Sequence, residues 1–122
     1  DTEVDSAKST LSNREVIFIN TTAQGADSDA YKTATLDLSQ LKAGITYAFA
    51  LNVVSTINGE QYSQEVSCKL NEVDMGRNGN YYKLSSTFFG RCQNSDKLYV
   101  SAFKNGGSWT GVTIRGIFIP AD

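Results

Sequence analysis

Apolar and polar residues alternate with a period of two along most of this chain, and the alternation is broken by clusters of turn-forming residues. Residues 45–54 (ITYAFALNVV) show it best. Ile45, Tyr47, Phe49, Leu51 and Val53 fall on one face, and Thr46, Ala48, Ala50 and Asn52 on the other. That is the period of a β-strand. The small residues of the second face suggest that it too is approached by something. Further strands are expected over 14–20, 31–38, 61–70, 81–91, 97–103 and 112–119. In 14–20 the run Val16-Ile17-Phe18-Ile19 is continuous, so cover is expected on both faces. In 61–70, Tyr62, Val66, Cys68 and Leu70 are in phase, and in 81–91 Tyr82, Leu84 and Phe88 are. In 97–103 two phases remain open, with Leu98, Val100 and Ala102 inward, or Tyr99 and Phe103. In 112–119 the apolar phase moves from Val112 and Ile114 to Ile117 and Ile119 across Gly116, which reads as a β-bulge.

Between these runs lie the turn signals. Asn58-Gly59 predicts a hairpin, because both residue types tolerate positive φ. Residues 74–80 (DMGRNGN) read as a turn, and 104–111 (KNGGSWTG) as a glycine-rich loop. No segment has a convincing helical period. Residues 1–13 are polar and aperiodic and read as a leader or linker to one domain over 14–122. The chain opens on Asp1 rather than Met, as a processed product or an excised domain would. The expected fold is all-β, an antiparallel β-sandwich of the jelly-roll kind with about seven strands.

Composition narrows the function. A chain of 122 residues with 40% hydrophobic residues can bury a core without metal or several disulfides. With 11 basic and 13 acidic residues interspersed, there is no basic footprint for nucleic acid or for an anionic membrane surface. No apolar stretch is long enough for membrane insertion. There is no histidine, so histidine-based triads and histidine-ligated zinc drop out, and a cysteine nucleophile would lack its usual base. Carboxylates fall at turns and on solvated strand faces. The chain is therefore read as non-catalytic, with no cofactor and no metal. Alternating oxygen donors at Asp27 and Asp29 would suit Ca²⁺, but an ordinary polar loop is the favoured reading. Cys68 and Cys92 are expected to form one disulfide, closing a loop of about 24 residues, worth roughly 3 kcal/mol. Two separate buried thiols are the alternative. Asn20-Thr21-Thr22 is a glycosylation triplet.

The candidate binding residues are aromatic rings near loops with polar side chains beside them. Tyr81 and Tyr82 follow the turn at 74–80, Trp109 sits in the glycine-rich loop, and Tyr62 lies just past Asn58-Gly59. A ring presents a flat apolar face to the C–H face of a sugar. Arg77, Asn78, Asn80, Lys104 and Asn105 could bond its hydroxyls. Two readings of Trp109 stand, an exposed platform or a core plug. Adjacent strand residues face opposite ways, so one of Tyr81 and Tyr82 belongs to the core.

The stretches YKTATLDLSQLKAGITYAFALNVV (31–54) and SWTGVTIRGIFI (108–119) resemble jelly-roll carbohydrate-binding modules, and phage tail-fibre and receptor-binding head domains reuse similar sandwiches. The resemblance implies recognition, often of glycans or a cell-surface receptor, by an extracellular or surface-exposed protein. It carries over no site residue by position. Residues 96–119 are also similar to the strand-rich end of fimbrial adhesin subunits, which take a strand from a neighbour. The leader 1–13 lacks the alternating apolar residues of a donor strand. A structural subunit of a fibre, pilus or other homo-oligomer, with Val16–Ile19 and Ile117–Ile119 at its interface, and a secreted inhibitor or toxin-like domain remain as alternatives.

Overall fold

A computed structural model describes residues 1–12 and 14–121. Asn13 and Asp122, the last residue of the expected leader and the last of the expected domain, lie outside the described residues. Helix α1 spans Thr2–Ser12, and eight strands follow. They are β1 Ile17–Thr22, β2 Tyr31–Thr35, β3 Tyr47–Asn58, β4 Gln64–Leu70, β5 Val73–Asn80, β6 Lys83–Cys92, β7 Leu98–Lys104 and β8 Ser108–Pro120.

The strands make two antiparallel sheets of four. The back sheet has the order β1-β8-β3-β6 and the front sheet β2-β7-β4-β5. The pairs β1–β8, β2–β7, β3–β6 and β4–β5 are nested, as in one long hairpin rolled onto itself. That is the jelly roll the alternation and the resemblance led us to expect. The inward phase of each strand forms one core, including Phe49, Leu51 and Val53 from β3, Leu84 and Phe88 from β6, and Val66 and Cys68 from β4. On β7 it is Leu98, Val100 and Ala102 that point inward, so Tyr99, Ser101 and Phe103 take the outer face. Burial of each larger apolar side chain contributes about 1.5–3 kcal/mol.

The structure corrects several expectations. Residues 2–12 are helical, started by Asp1, whose Oδ1 accepts a hydrogen bond from the Val4 amide at 2.9 Å. The apolar positions are too few to give this helix a strong period. Residues 74–80 are a strand, not a turn. β5 is an exposed edge strand, so it needs no apolar alternation, only backbone pairing to β4. It is joined to β4 by Asn71 (φ 50°) and Glu72 (φ 69°), both at the positive φ of a type I′ turn. Asn58-Gly59 makes no hairpin, because β3 and β4 lie in different sheets. The segment carries the chain across the roughly 10 Å between the layers.

Gly116 is no bulge. It stays in the inward phase, and a Cβ there would lie 2.7 Å from the Phe118 ring, so its absence makes room for that ring. The irregularity lies where Thr56 pairs Gly111 but Ile57 pairs Trp109, leaving Thr110 over. Ile117 and Ile119 therefore point out of the back sheet. On β1, Ile17 and Ile19 turn inward, while Phe18 and the preceding Val16 are exposed, so the described residues leave the outer side of that run uncovered.

The expected disulfide is absent, and Cys68 and Cys92 are free, buried thiols. Cys68 lies in the front sheet opposite Val100 and Gly76. Cys92 ends β6 in the back sheet, opposite Tyr47. Gly76 faces Phe88, which is four residues short of Cys92, or about 13 Å along the strand. That is beyond the reach of a disulfide.

Candidate functional site

The nested topology brings the segments 23–30, 59–63, 81–82 and 105–107 to one end of the sandwich. Hydrogen bonds tie them together. The Asn105 amide donates to Ser63 O (2.9 Å), the Lys104 amide to Ala30 O (2.9 Å), and the buried Gln64 side chain to Tyr81 O (3.0 Å). Trp109 is the pin of this end. Its amide donates to Asp27 O (2.9 Å) and its indole Nε1 to Asp29 O (2.8 Å), and it is 2% exposed. Of its two readings, the core plug holds, because the ring enters the core in phase with Val112 and Ile114. It offers no platform to a ligand.

Tyr62 is likewise used inside the fold. A Cβ on Gly106 would fall 2.5 Å from its ring and one on Gly59 2.8 Å, so the glycines let two loops close over the tyrosine. Lys104 is buried, its Nζ donating to Ser28 O at 3.3 Å. Tyr82 packs against the core, with the Lys83 ammonium 5.6 Å from its ring centre. Asn78 takes the inward phase of the edge strand, opposite Val66, and Asn105 is exposed at the loop end. The loop carboxylates are engaged locally. Asp27 pairs with Lys32 (2.8 Å), and Asp29 accepts from the Ala26 amide (2.9 Å).

The residues that do come together lie on the outer face of the front sheet. Three rows cross its strands in register: Tyr31–Phe103–Glu65–Gly79, then Thr33–Ser101–Ser67–Arg77, then Thr35–Tyr99–Lys69–Asp74. The middle row is low, being floored by hydroxyls. It rises only at Arg77 on the edge strand, while the outer rows carry the rings with Glu65, Lys69 and Asp74. They stand four residues apart, about 13 Å. The result is an open groove of about 390 Å³ lined by Tyr31, Phe103, Tyr99, Glu65, Lys69, Arg77 and the two serines. The Tyr31 and Phe103 rings meet at 5.0 Å between centres with a tilt of 46°, and Tyr31 is 56% exposed.

Arg77 is held by Glu65 at 3.2 Å and Asp74 at 3.5 Å, so its guanidinium lies along the groove edge with donors to spare. Beyond Phe103 a second hollow is lined by Gly79, Asn80 and Tyr81; beyond Tyr99 a third is lined by Thr35, Glu72 and Lys97. Of the residues singled out in the sequence, Arg77 belongs to this face, and Asn80 and Tyr81 line the hollow beyond Phe103. Tyr31, Tyr99, Phe103, Glu65 and Lys69 were missed. One signal for them existed. Once Leu98, Val100 and Ala102 are taken as the inward phase, Tyr99 and Phe103 must face outward.

The two thiols are chemically quiet. Burial, reinforced by Asp74, pushes Cys68 up to about 11, and burial reinforced by Asp96 pushes Cys92 up to about 12. Both are protonated at neutral pH and lack the thiolate a nucleophile needs. Among the described residues, no helix is long and apolar enough to cross a membrane.

No protein-family model matches the chain, and no curated protein sequence does. Solved structures do. Murine APRIL is similar with a TM-score of 0.53 and 11% identity, covering 86% of this chain and 99% of its own. Latent PorU from Porphyromonas gingivalis has a TM-score of 0.50 and 8% identity, covering 88% of this chain, which spans only 13% of the PorU chain. A family 35 carbohydrate binding module from Clostridium thermocellum has a TM-score of 0.45 and 8% identity, covering 87% of this chain and 92% of its own. At such identities, likeness speaks to architecture alone, and the first two comparisons agree with the sandwich fold seen here.

Proposed function

We propose that this domain is a non-catalytic recognition module that binds a glycan in the groove on the outer face of the front sheet. The carrying observation is the register of that face, with the exposed rings of Tyr31 and Phe103 on one side of a serine floor, the half-buried Tyr99 on the other and ionic groups at its rim. A sugar ring has apolar C–H faces and equatorial hydroxyls. Tyr31, Phe103 and Tyr99 offer flat apolar surfaces. Ser67, Ser101, Glu65, Lys69 and Arg77 supply donors and acceptors in fixed positions, as ligand sites require. Because the groove continues toward Tyr81 at one side and Lys97 at the other, it suits a chain of linked sugars better than a single one. The hydrolytic alternative is disfavoured. Glycoside cleavage uses two carboxylates, and the groove's own carboxylate, Glu65, is engaged by Arg77. An extracellular or surface-exposed setting, with the glycan on a cell surface, is the finer form of this reading.

The test is a glycan array probed with the purified protein and with Tyr31→Ala and Phe103→Ala. Selective binding that both variants lose, at unchanged melting temperature, is the expected result. Each lost ring should weaken binding by at least about 1 kcal/mol, the cost that marks an energetically important contact on truncation to alanine. Selective binding that neither variant reduces would place the site elsewhere.

A further inference from the structure

The outer face of the back sheet is as ordered as the groove, but its character is apolar. Phe18, Ile117, Ala50 and Phe89 lie in one row across all four strands. The next row holds Ile119, Ala48 and Arg91, and Val16 stands just before β1 on the same side. Phe89 is 70% exposed, Phe18 64%, Ile119 46% and Val16 44%. On the other side of the phenylalanine row the face turns polar, with Asn20, Arg115, Asn52 and Thr87 in register. There the Asn52 amide donates to Ser85 Oγ, Ser86 O and Thr87 Oγ1 at 3.2–3.3 Å. The apolar half is therefore a bounded patch, not a scatter of single residues.

We propose that this face is a self-association surface, and that its occupant is the same face of a second copy of this chain, packed sheet on sheet about a two-fold axis parallel to the strands. The area fits. At about 200 Å² for a phenylalanine and somewhat less for isoleucine and valine, the four exposed side chains present roughly 400 Å². Ile117, Ala48 and Ala50 bring this toward about 500 Å², in the upper part of the roughly 300–600 Å² of the largest patch on a typical monomer, a patch that is often functional. A standard interface buries about 800 Å² per partner, of which roughly 56–65% is apolar, or about 450–520 Å².

The profile fits as well. This axis sets β1 over β6 of the copy and β8 over β3. Phe18 then meets Phe89, Ile117 meets Ala50, and Ile119 meets Ala48, so both isoleucines face a small residue. Arg115 faces Asn52 and Arg91 faces Val16, so no like charges are opposed. Aligned sandwiches pack their sheets in this way around a layer about 10 Å thick. The inference does not rest on glycan binding. Both front grooves would face outward from opposite sides of the pair, which gives two sites per particle.

The experiment is sedimentation velocity on the full chain over a dilution series, with Phe89→Lys, Ile119→Lys and, as a control on the exposed edge strand, Val73→Lys. Wild type and Val73→Lys should dimerise reversibly. Phe89→Lys should weaken association by about 30-fold or more, since each change acts twice across a two-fold contact. Its melting temperature as a monomer should stay close to wild type, because the ring is outside the core. Ile119→Lys reads the same face from another strand and decides the matter if Phe89→Lys folds poorly. A wild-type chain that remains monomeric up to about 1 mM, or a dimer that both lysine variants leave intact, overturns the proposal.

Discussion

Replacing Trp109 separates a core plug from a ligand platform, and the structure sets the magnitude. The indole is 2% exposed, and its Nε1 donates to Asp29 O at 2.8 Å. Trp109→Ala removes the ring, leaves a cavity beneath the segment 23–30 and strands that carbonyl. Such a truncation costs about 3–5 kcal/mol. For 122 residues, the unfolding entropy of about 2.1 cal/mol/K per residue makes 1 kcal/mol worth about 4 °C, so the melting temperature should fall by roughly 12–20 °C. A domain of this size holds about 6–18 kcal/mol, so the variant is expected to fold at 25 °C in all but the least stable part of that range. Trp109→Phe keeps most of the packing and isolates the hydrogen bond, at about 1–3 kcal/mol. The assay is thermal unfolding by circular dichroism, with glycan binding measured on the folded variants. Trp109 is the only tryptophan, so its emission in the wild type should be blue-shifted and move to the red on unfolding. A Trp109→Ala protein that melts within about 2 °C of wild type yet loses glycan binding would refute this assignment and return the ring to the ligand site.

Two further outcomes follow from the core. Cys68 and Cys92 should resist thiol reagents in the native state at pH 8 and react only on unfolding. Their folded pKa values stand above the ordinary thiol value. Their stabilising effect is thus complete below about pH 9 and is lost as pH rises toward 11–12, by up to about 1.4 kcal/mol per pH unit for each thiol. The slope of denaturation midpoint against pH should flatten in that window for a Cys68→Val, Cys92→Val double variant. An unchanged slope would show that other groups set the alkaline limit. Gly116→Ala should destabilise by about 1–3 kcal/mol, because the added methyl enters the space of the Phe118 ring and Leu51. A denaturant titration reads this directly, and an unchanged midpoint would mean that the ring has room to move.

Much of the fold was written in local alternation. Residues 45–54 place their large apolar side chains on one face, and the inward set Tyr47, Phe49, Leu51 and Val53 is the one observed. The absence of histidine and the mixed charge exclude whole classes of chemistry from the sequence alone. What stayed hidden was whatever depends on which strand lies beside which. β5 went unread because an edge strand is held by backbone hydrogen bonds that leave no apolar period. The cysteines looked like partners because their number is even, but their strands belong to different sheets and separate levels. Trp109 looked like a loop residue, yet the nested topology folds its loop onto the segment 23–30 and drives the ring inward. The groove is the plainest case. Tyr31, Glu65, Arg77 and Phe103 are scattered over more than seventy positions, and only the pairing of β2, β7, β4 and β5 sets them on one face. Alternation along a strand is fixed by local backbone geometry and can be read from a short window. Adjacency across strands is fixed by long-range closure of the sandwich, which no short window contains.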